Sequence, residues 1–223
     1  MAFDPYYSRP EVSNSDLTAL KYKLFPQLNF VSENATLEAF RMGTLVDALI
    51  TEPKKINFYK NTIDEYSYTK EEMAWGQKMR KALLKEATKD KFLDFVLKNS
   101  DSQKWFANPA QKFDLGFMQI ELPTRCKWDW WLGTFGGDLK TTSATTQAQF
   151  EAQIDFVDWD RSRVFYMMLC RSINPAWCGQ DFIYAISKKN FKVFKKKIVW
   201  GDELFERGRK KLNDLVFRAW CLT

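Results

Sequence analysis

The sequence predicts a mixed α/β (α+β) fold, a central mixed sheet flanked by helices, in a single domain over residues 1–223. Three observations predict it. Hydrophobic periodicity runs in the order helix, helix, strands, helix, strands, helix. Capping signatures open two of the helical regions. The third is bulk: 223 residues, 45% hydrophobic and 28% charged, are ordinary globular values and enough for one substantial core.

Ser13 with Asp16 three residues on reads as an N-cap, opening a helix to about Lys23; Pro26 ends that region. The next helix, roughly Ala35 to Thr51, puts Leu37, Phe40, Thr44, Leu45, Ala48 and Leu49 on one broad apolar face, and Pro53 stops it. Asp47 lies on its flank, one turn from Gly43, either as a helix-surface carboxylate or as a site residue. Residues 54–68 read as loop with extended pieces. Thr69 with Glu72 caps a helical region to about Asn99, within a helical insert placed at about 69–108 that ends at the Asn108-Pro109 break. Its polar face suits a lid, a packing helix or a clamp on nucleic acid.

Phe113 to Leu122 reads as a strand, followed by a hairpin of Cys126 to Leu132 and Gly137 to Thr142 turning on Gly133 and Gly136-Gly137. Three antiparallel strands thus precede a helix from Thr145 to about Ile173, broken near Asp158-Trp159. A second hairpin, Gln180 to Ser187 and Lys192 to Trp200, leads past Gly201 into a last helix. That helix turns Leu204, Gly208, Leu212, Leu215, Val216 and Ala219 inward and most of its basic residues outward.

The hairpin at Arg125–Thr142 carries the chemistry. Side chains two apart on a strand share a face, so Asp138 and Lys140 project together, and closing the hairpin brings Asp129 alongside. Two carboxylates and an ammonium crowded together are costly unless a cation joins them. Hard Mg²⁺, with Mn²⁺ as a substitute, prefers such oxygen donors. A cation held there lowers the pKa of a bound water and offsets charge on a phosphoryl oxygen, with Lys140 beside it as a point charge. That is equipment for cutting a phosphodiester. On spacing alone, such a set also arises at solvated strand ends that form a surface ion pair.

The residues also resemble a family. Lys127-Trp-Asp129 followed by Gly136-Gly-Asp-Leu-Lys-Thr-Thr142 resembles the second and third motifs of the PD-(D/E)XK nuclease superfamily. More narrowly, it is similar to phage and prophage nucleases of the exonuclease VIII (RecE-like) type. Val12–Leu17, Phe40–Pro53 and Trp159–Tyr166 resemble that family's opening segment, first core helix and Tyr/Gln-bearing helix, in family order. The resemblance implies a restriction-endonuclease-like core with Asp129, Asp138 and Lys140 as catalytic residues. It implies a metal held by Asp129, Asp138, Asp47 and Leu139, the last having only its main-chain oxygen to offer. It places Arg161, Ser162, Arg163 and Tyr166 against the DNA, unless Tyr166 is simply a core residue with a satisfied hydroxyl.

The implied activity is 5′-to-3′ exonuclease digestion of duplex DNA in phage recombination or DNA processing, with a single-strand annealing protein as partner and a ring-like homo-oligomer as assembly. A structure-specific endonuclease would use the same residues. Two departures support a nuclease-fold DNA-binding protein whose chemistry has lapsed: Asp47 stands where relatives often have His, and Ser162 where they have Gln.

The chain has no histidine, which excludes His-based acid/base chemistry and argues against zinc. Its four cysteines form no C-x-x-C pair and do not resemble an iron–sulfur arrangement; they read as reduced core residues of a cytoplasmic protein, in the bacterial host cytoplasm if phage-encoded. No signal core or membrane span is expected. The formal charge of +6 is uneven: Lys188–Arg218 holds eleven Lys and Arg against four Asp and Glu. That basic third is either a track for a polyanion or a solvated helix face.

Overall fold

The computed structural model describes residues 6–29 and 32–222. Met1–Pro5, read above as lacking a signal core, lie outside them. A five-stranded mixed sheet, ordered β4-β5-β6-β7-β8, forms the centre: β4 Asp101–Asp114, β5 Gln119–Trp131, β6 Gly136–Thr142, β7 Gln180–Ser187 and β8 Val193–Val199. All neighbours run antiparallel except β6 and β7, which are parallel because α5 (Gln147–Phe156) and α6 (Trp159–Ile173) supply the crossover.

Helices cover both faces. On one, α1 (Asn14–Leu24), α5, α6 and α7 (Glu203–Trp220) bury Leu17, Phe150, Val164 and Leu212 against Cys126, Trp128, Ile183 and Ile198 of the sheet. On the other, α2 (Glu33–Thr51), α3 (Lys70–Ala87) and α4 (Lys91–Asn99) set Val46, Met79, Leu83 and Leu93 against Trp130, Leu139 and Tyr184. A small sheet, β1 (Ile56–Asn57), β2 (Thr62–Ile63) and β3 (Tyr66–Ser67), packs outside α2 and α3. No helix among the described residues is long and apolar enough to cross a membrane.

The caps act as read. Ser13 with Asp16 and Thr69 with Glu72 both form reciprocal capping boxes, satisfying otherwise orphaned N–H groups. The break before Trp159 is Asp158, at φ 56°.

Other expectations change. The helical insert ends at Asn99, not at about 108, because β4 starts at Asp101; Asn108-Pro109 is an irregularity inside that strand, where the register shifts. Phe113 to Leu122 is not one strand but the turn between two, with Gly116 at φ +88°. The apolar face of α2 serves only its C-terminal half: Leu45, Val46 and Leu49 are buried, while Leu37 and Phe40 are 60% and 68% exposed. The β5–β6 hairpin closes over just two residue pairs, Trp130↔Gly137 and Trp131↔Gly136.

Candidate active site

The expected acids meet where the β5–β6 ladder stops. Between Trp128 and Trp130 the strand does not alternate faces in the simple way, since the two pack in opposite layers. Between them Asp129 turns its carboxylate toward β6, where Oδ2 accepts the Leu139 N–H at 2.8 Å. A side chain therefore completes the ladder. Leu139 enters the site through its backbone, and on an extended strand its carbonyl points to the same side as its N–H.

Asp138 and Lys140 project together as read, with Lys140 Nζ 2.6 Å from Asp138 Oδ2. Asp47 arrives from α2 and faces inward. Gln103 on β4, at φ 55°, ties it in: its Nε2 donates to Asp47 Oδ2 at 3.0 Å, to Thr51 Oγ1 at 3.3 Å and to Asp129 Oδ1 at 3.4 Å. Thr51 Oγ1 donates in turn to Asp47 Oδ1 at 3.1 Å.

Electrostatics separates the three acids. Burial pushes the Asp47 carboxyl up to about 6, against the Thr51 bond and the Lys140 charge that pull it down. Burial and repulsion from Asp47 and Asp138 push Asp129 well above the usual carboxylate range. For Asp138 burial acts the same way, but Arg163 and Lys140 outweigh it and hold the carboxyl below its ordinary value. Burial alone would lower Lys140; Asp138 and Asp129 raise it instead. Its side chain keeps 28% exposure, while the ammonium itself lies against Asp138.

Arg163 lies elsewhere than expected. It is fully buried, with Nη1 donating to Asp138 Oδ1 at 2.7 Å and Nε to Asp181 Oδ2 at 2.6 Å. Its guanidinium sits 4.6 Å from the Trp128 ring centroid and 4.3 Å from that of Tyr166. Arg161 is also interior, with Nη2 donating to Thr18 Oγ1 at 2.7 Å. Ser162 is buried and Tyr166 half-buried against Trp128. The α6 arginines thus face the core, and of the four residues expected on DNA only Tyr166 keeps notable exposure. Their charges are met inside, that of Arg163 by Asp138 and Asp181 on two strands and that of Arg161 by Asp158 three residues earlier.

Gln103, Thr51 and Asp181 were not foreseen. Gln103 and Thr51 carry no sequence signal for the role. Asp181 does: it is the one acid in the otherwise apolar run Asp181–Ser187.

The donors suit a hard cation in kind. They are oxygens alone, and two of the three carboxylates resist ionising without added positive charge. In place, Gln103 takes the position between Asp47 and Asp129, and both Asp138 oxygens face cationic side chains. Among the described residues no three acidic or cysteine side chains converge as a ready-made metal cage.

No protein-family model matches the chain, and no curated protein matches it. Among solved structures, one described as "Crystal structure of SSO0001" aligns at a TM-score of 0.35 and 11% identity, over 57% of this chain and 55% of that one. At that level of likeness it carries no inference about fold family or activity.

Proposed function

We propose that the protein is a cation-dependent nuclease that hydrolyses phosphodiester bonds in DNA, on a PD-(D/E)XK-type core like that of exonuclease VIII (RecE-like) nucleases. One observation carries the reading: Asp138 and Lys140 in contact on one strand, with Asp129 alongside and Asp47 joined through Gln103. Asp129 and Asp138 would hold Mg²⁺ or Mn²⁺, with Asp47 behind them and the Leu139 carbonyl beside them. The bound cation supplies an activated water and offsets charge on the phosphoryl oxygen. Lys140 places a compact positive charge next to the scissile phosphate. Arg163 keeps Asp138 ionised and oriented while itself remaining out of solvent. Digestion from a duplex end in the 5′-to-3′ direction, with an annealing protein as partner, follows from the resemblance.

The second reading is a DNA-binding protein on the same fold without turnover. It is favoured by the occupied oxygens of Asp138 and the absence of a preformed cage among the described residues. Incubation of end-labelled linear duplex, closed circular duplex and single strand with Mg²⁺, Mn²⁺ or EDTA separates the two. Loss of the linear duplex with either cation, and none with EDTA, is the expected result. Intact substrates in every lane, with binding retained, would establish the second reading.

A further inference from the structure

The basic surface lies on α3, away from most of the basic C-terminal third. In that third Lys195, Lys196, Arg207, Arg209, Lys211 and Arg218 are paired with acids, which leaves Lys188, Lys189, Lys192, Lys197 and Lys210 without an ion pair among the described residues. Arg207 and Lys211 bond to Asp160, Arg209 to Glu206 and Arg218 to Asp214. The Lys195–Lys197 run does not act as one surface either, because its side chains alternate across β8. Lys195 bonds to Asp90 on the α4 side, while Lys196 bonds to Glu151 of α5 on the other.

On α3 the situation is reversed. Lys78, Lys81 and Lys85 fall within about 60° of arc on the helix, spaced ~4.5–6 Å along its axis. Lys89 follows one turn on. All four are exposed, and none forms an ion pair among the described residues. Where α3 ends, a shallow cleft against β8 brings in Lys192, so that Lys85, Glu86 and Lys89 face Phe191, Lys192 and Phe194. Lys192 is likewise exposed and has no ion pair among the described residues. Five lysines thus form a stripe whose cleft has Glu86 as its only acidic lining residue.

The same helix is keyed to the candidate site. Gly76 lets α3 approach α2 closely, since a Cβ there would lie 2.8 Å from Leu49 Cδ1 and 3.0 Å from Leu45 Cγ. Asp47 stands two residues from each of these leucines.

We infer that this stripe, Lys78, Lys81, Lys85, Lys89 and Lys192, binds the phosphate backbone of a nucleic-acid duplex. Lysine is a point charge that meets phosphate without needing base contacts, so the surface reads backbone and not sequence. A membrane is the poorer occupant. An interfacial helix needs a free apolar face beside its cations, and here that face, with Met73, Met79, Leu83 and Ala87, is buried in the core. The inference takes from the nuclease reading only that the polyanion is DNA.

Fluorescence anisotropy with a short blunt-ended duplex, in EDTA and across a salt series, tests it. Each phosphate neutralised adds about 0.9 to the slope of log affinity against log salt. Lys81→Glu/Lys85→Glu/Lys89→Glu should make the slope shallower by roughly 2–3 and weaken binding at least ~10-fold. A charge-matched control on other surfaces, Lys23→Glu/Lys60→Glu/Lys104→Glu, should keep the wild-type slope. Equal losses in the two triple variants would overturn the inference, because net charge alone would then explain binding. So would an unchanged slope in the α3 variant, or binding to phosphatidylserine vesicles but not to duplex. Because EDTA excludes turnover, absence of cleavage bears on the nuclease reading and leaves this measurement standing.

Discussion

At the scale of the residue, Asp138 carries two duties that pull in different directions. It is a candidate cation ligand, and it also neutralises a buried arginine. Removing one partner of a buried pair leaves an uncompensated charge, at about 3–5 kcal/mol. Arg163→Met, which strands Asp181 and leaves Asp138 with Lys140 alone, should lower stability by about that amount in urea unfolding at pH 7. An Arg163→Met protein as stable as wild type would show that the pair is not closed in solution. Asp138→Asn therefore perturbs folding as well as chemistry, and Lys140→Met is the cleaner probe of turnover. It should abolish most DNA hydrolysis, and because Asp138 keeps Arg163 as a partner its cost in stability in urea unfolding should be smaller than that of Arg163→Met. Asp47 offers a pH signature. Burial raises its carboxyl to about 6, above the value of about 4 in the unfolded chain, so the folded state binds that proton more tightly. The associated stability is present in full below about pH 4 and is lost as pH rises through about 6. Urea midpoints in EDTA should decline over that window in wild type and less so in Asp47→Asn. Parallel declines would place the titration elsewhere.

At the scale of the element, glycine contacts set how closely helices pack. Gly208 on α7 faces Asp160 on α6, where a Cβ would lie 2.7 Å from backbone carbon and oxygen. Backbone cannot rotate aside as a side-chain tip can. Gly208→Ala should therefore cost about 1–3 kcal/mol despite alanine's better helix propensity, as a lower thermal midpoint would show. The inward position of Gly208 was legible from its spacing with Leu212 and Leu215, and the capping boxes at Ser13 and Thr69 were legible from four residues each. The β4–β5 turn was not. The alternation of Phe113, Leu115 and Phe117 resumes one residue out of phase at Ile120 and Leu122, and only tertiary packing shows Phe113 and Ile120 opposite each other. Likewise Leu37 and Phe40 have the right period for a buried face, but they stay exposed while Leu45, Val46 and Leu49 on the same helix take the core.

At the scale of the whole molecule, layer order and the meeting of Asp129, Asp138 and Lys140 could be anticipated because they depend on strand alternation and one local hairpin. Charge placement could not, since it depends on partners far away in sequence: Arg163 on Asp181, Lys211 on Asp160, Lys195 on Asp90. The two-pair join between β5 and β6 has a mechanical consequence. The β4–β5 hairpin is long and well laced within itself, and β6, β7 and β8 are equally well laced to one another. Between these two stiff plates the backbone seam is short, and past it a single carboxylate-to-amide bond spans the gap. Asp129 rides on one plate and Asp138 on the other. With so few backbone bonds across the seam, the gap between the two acids is set by the side chains packed on either face of the sheet and not by its ladder.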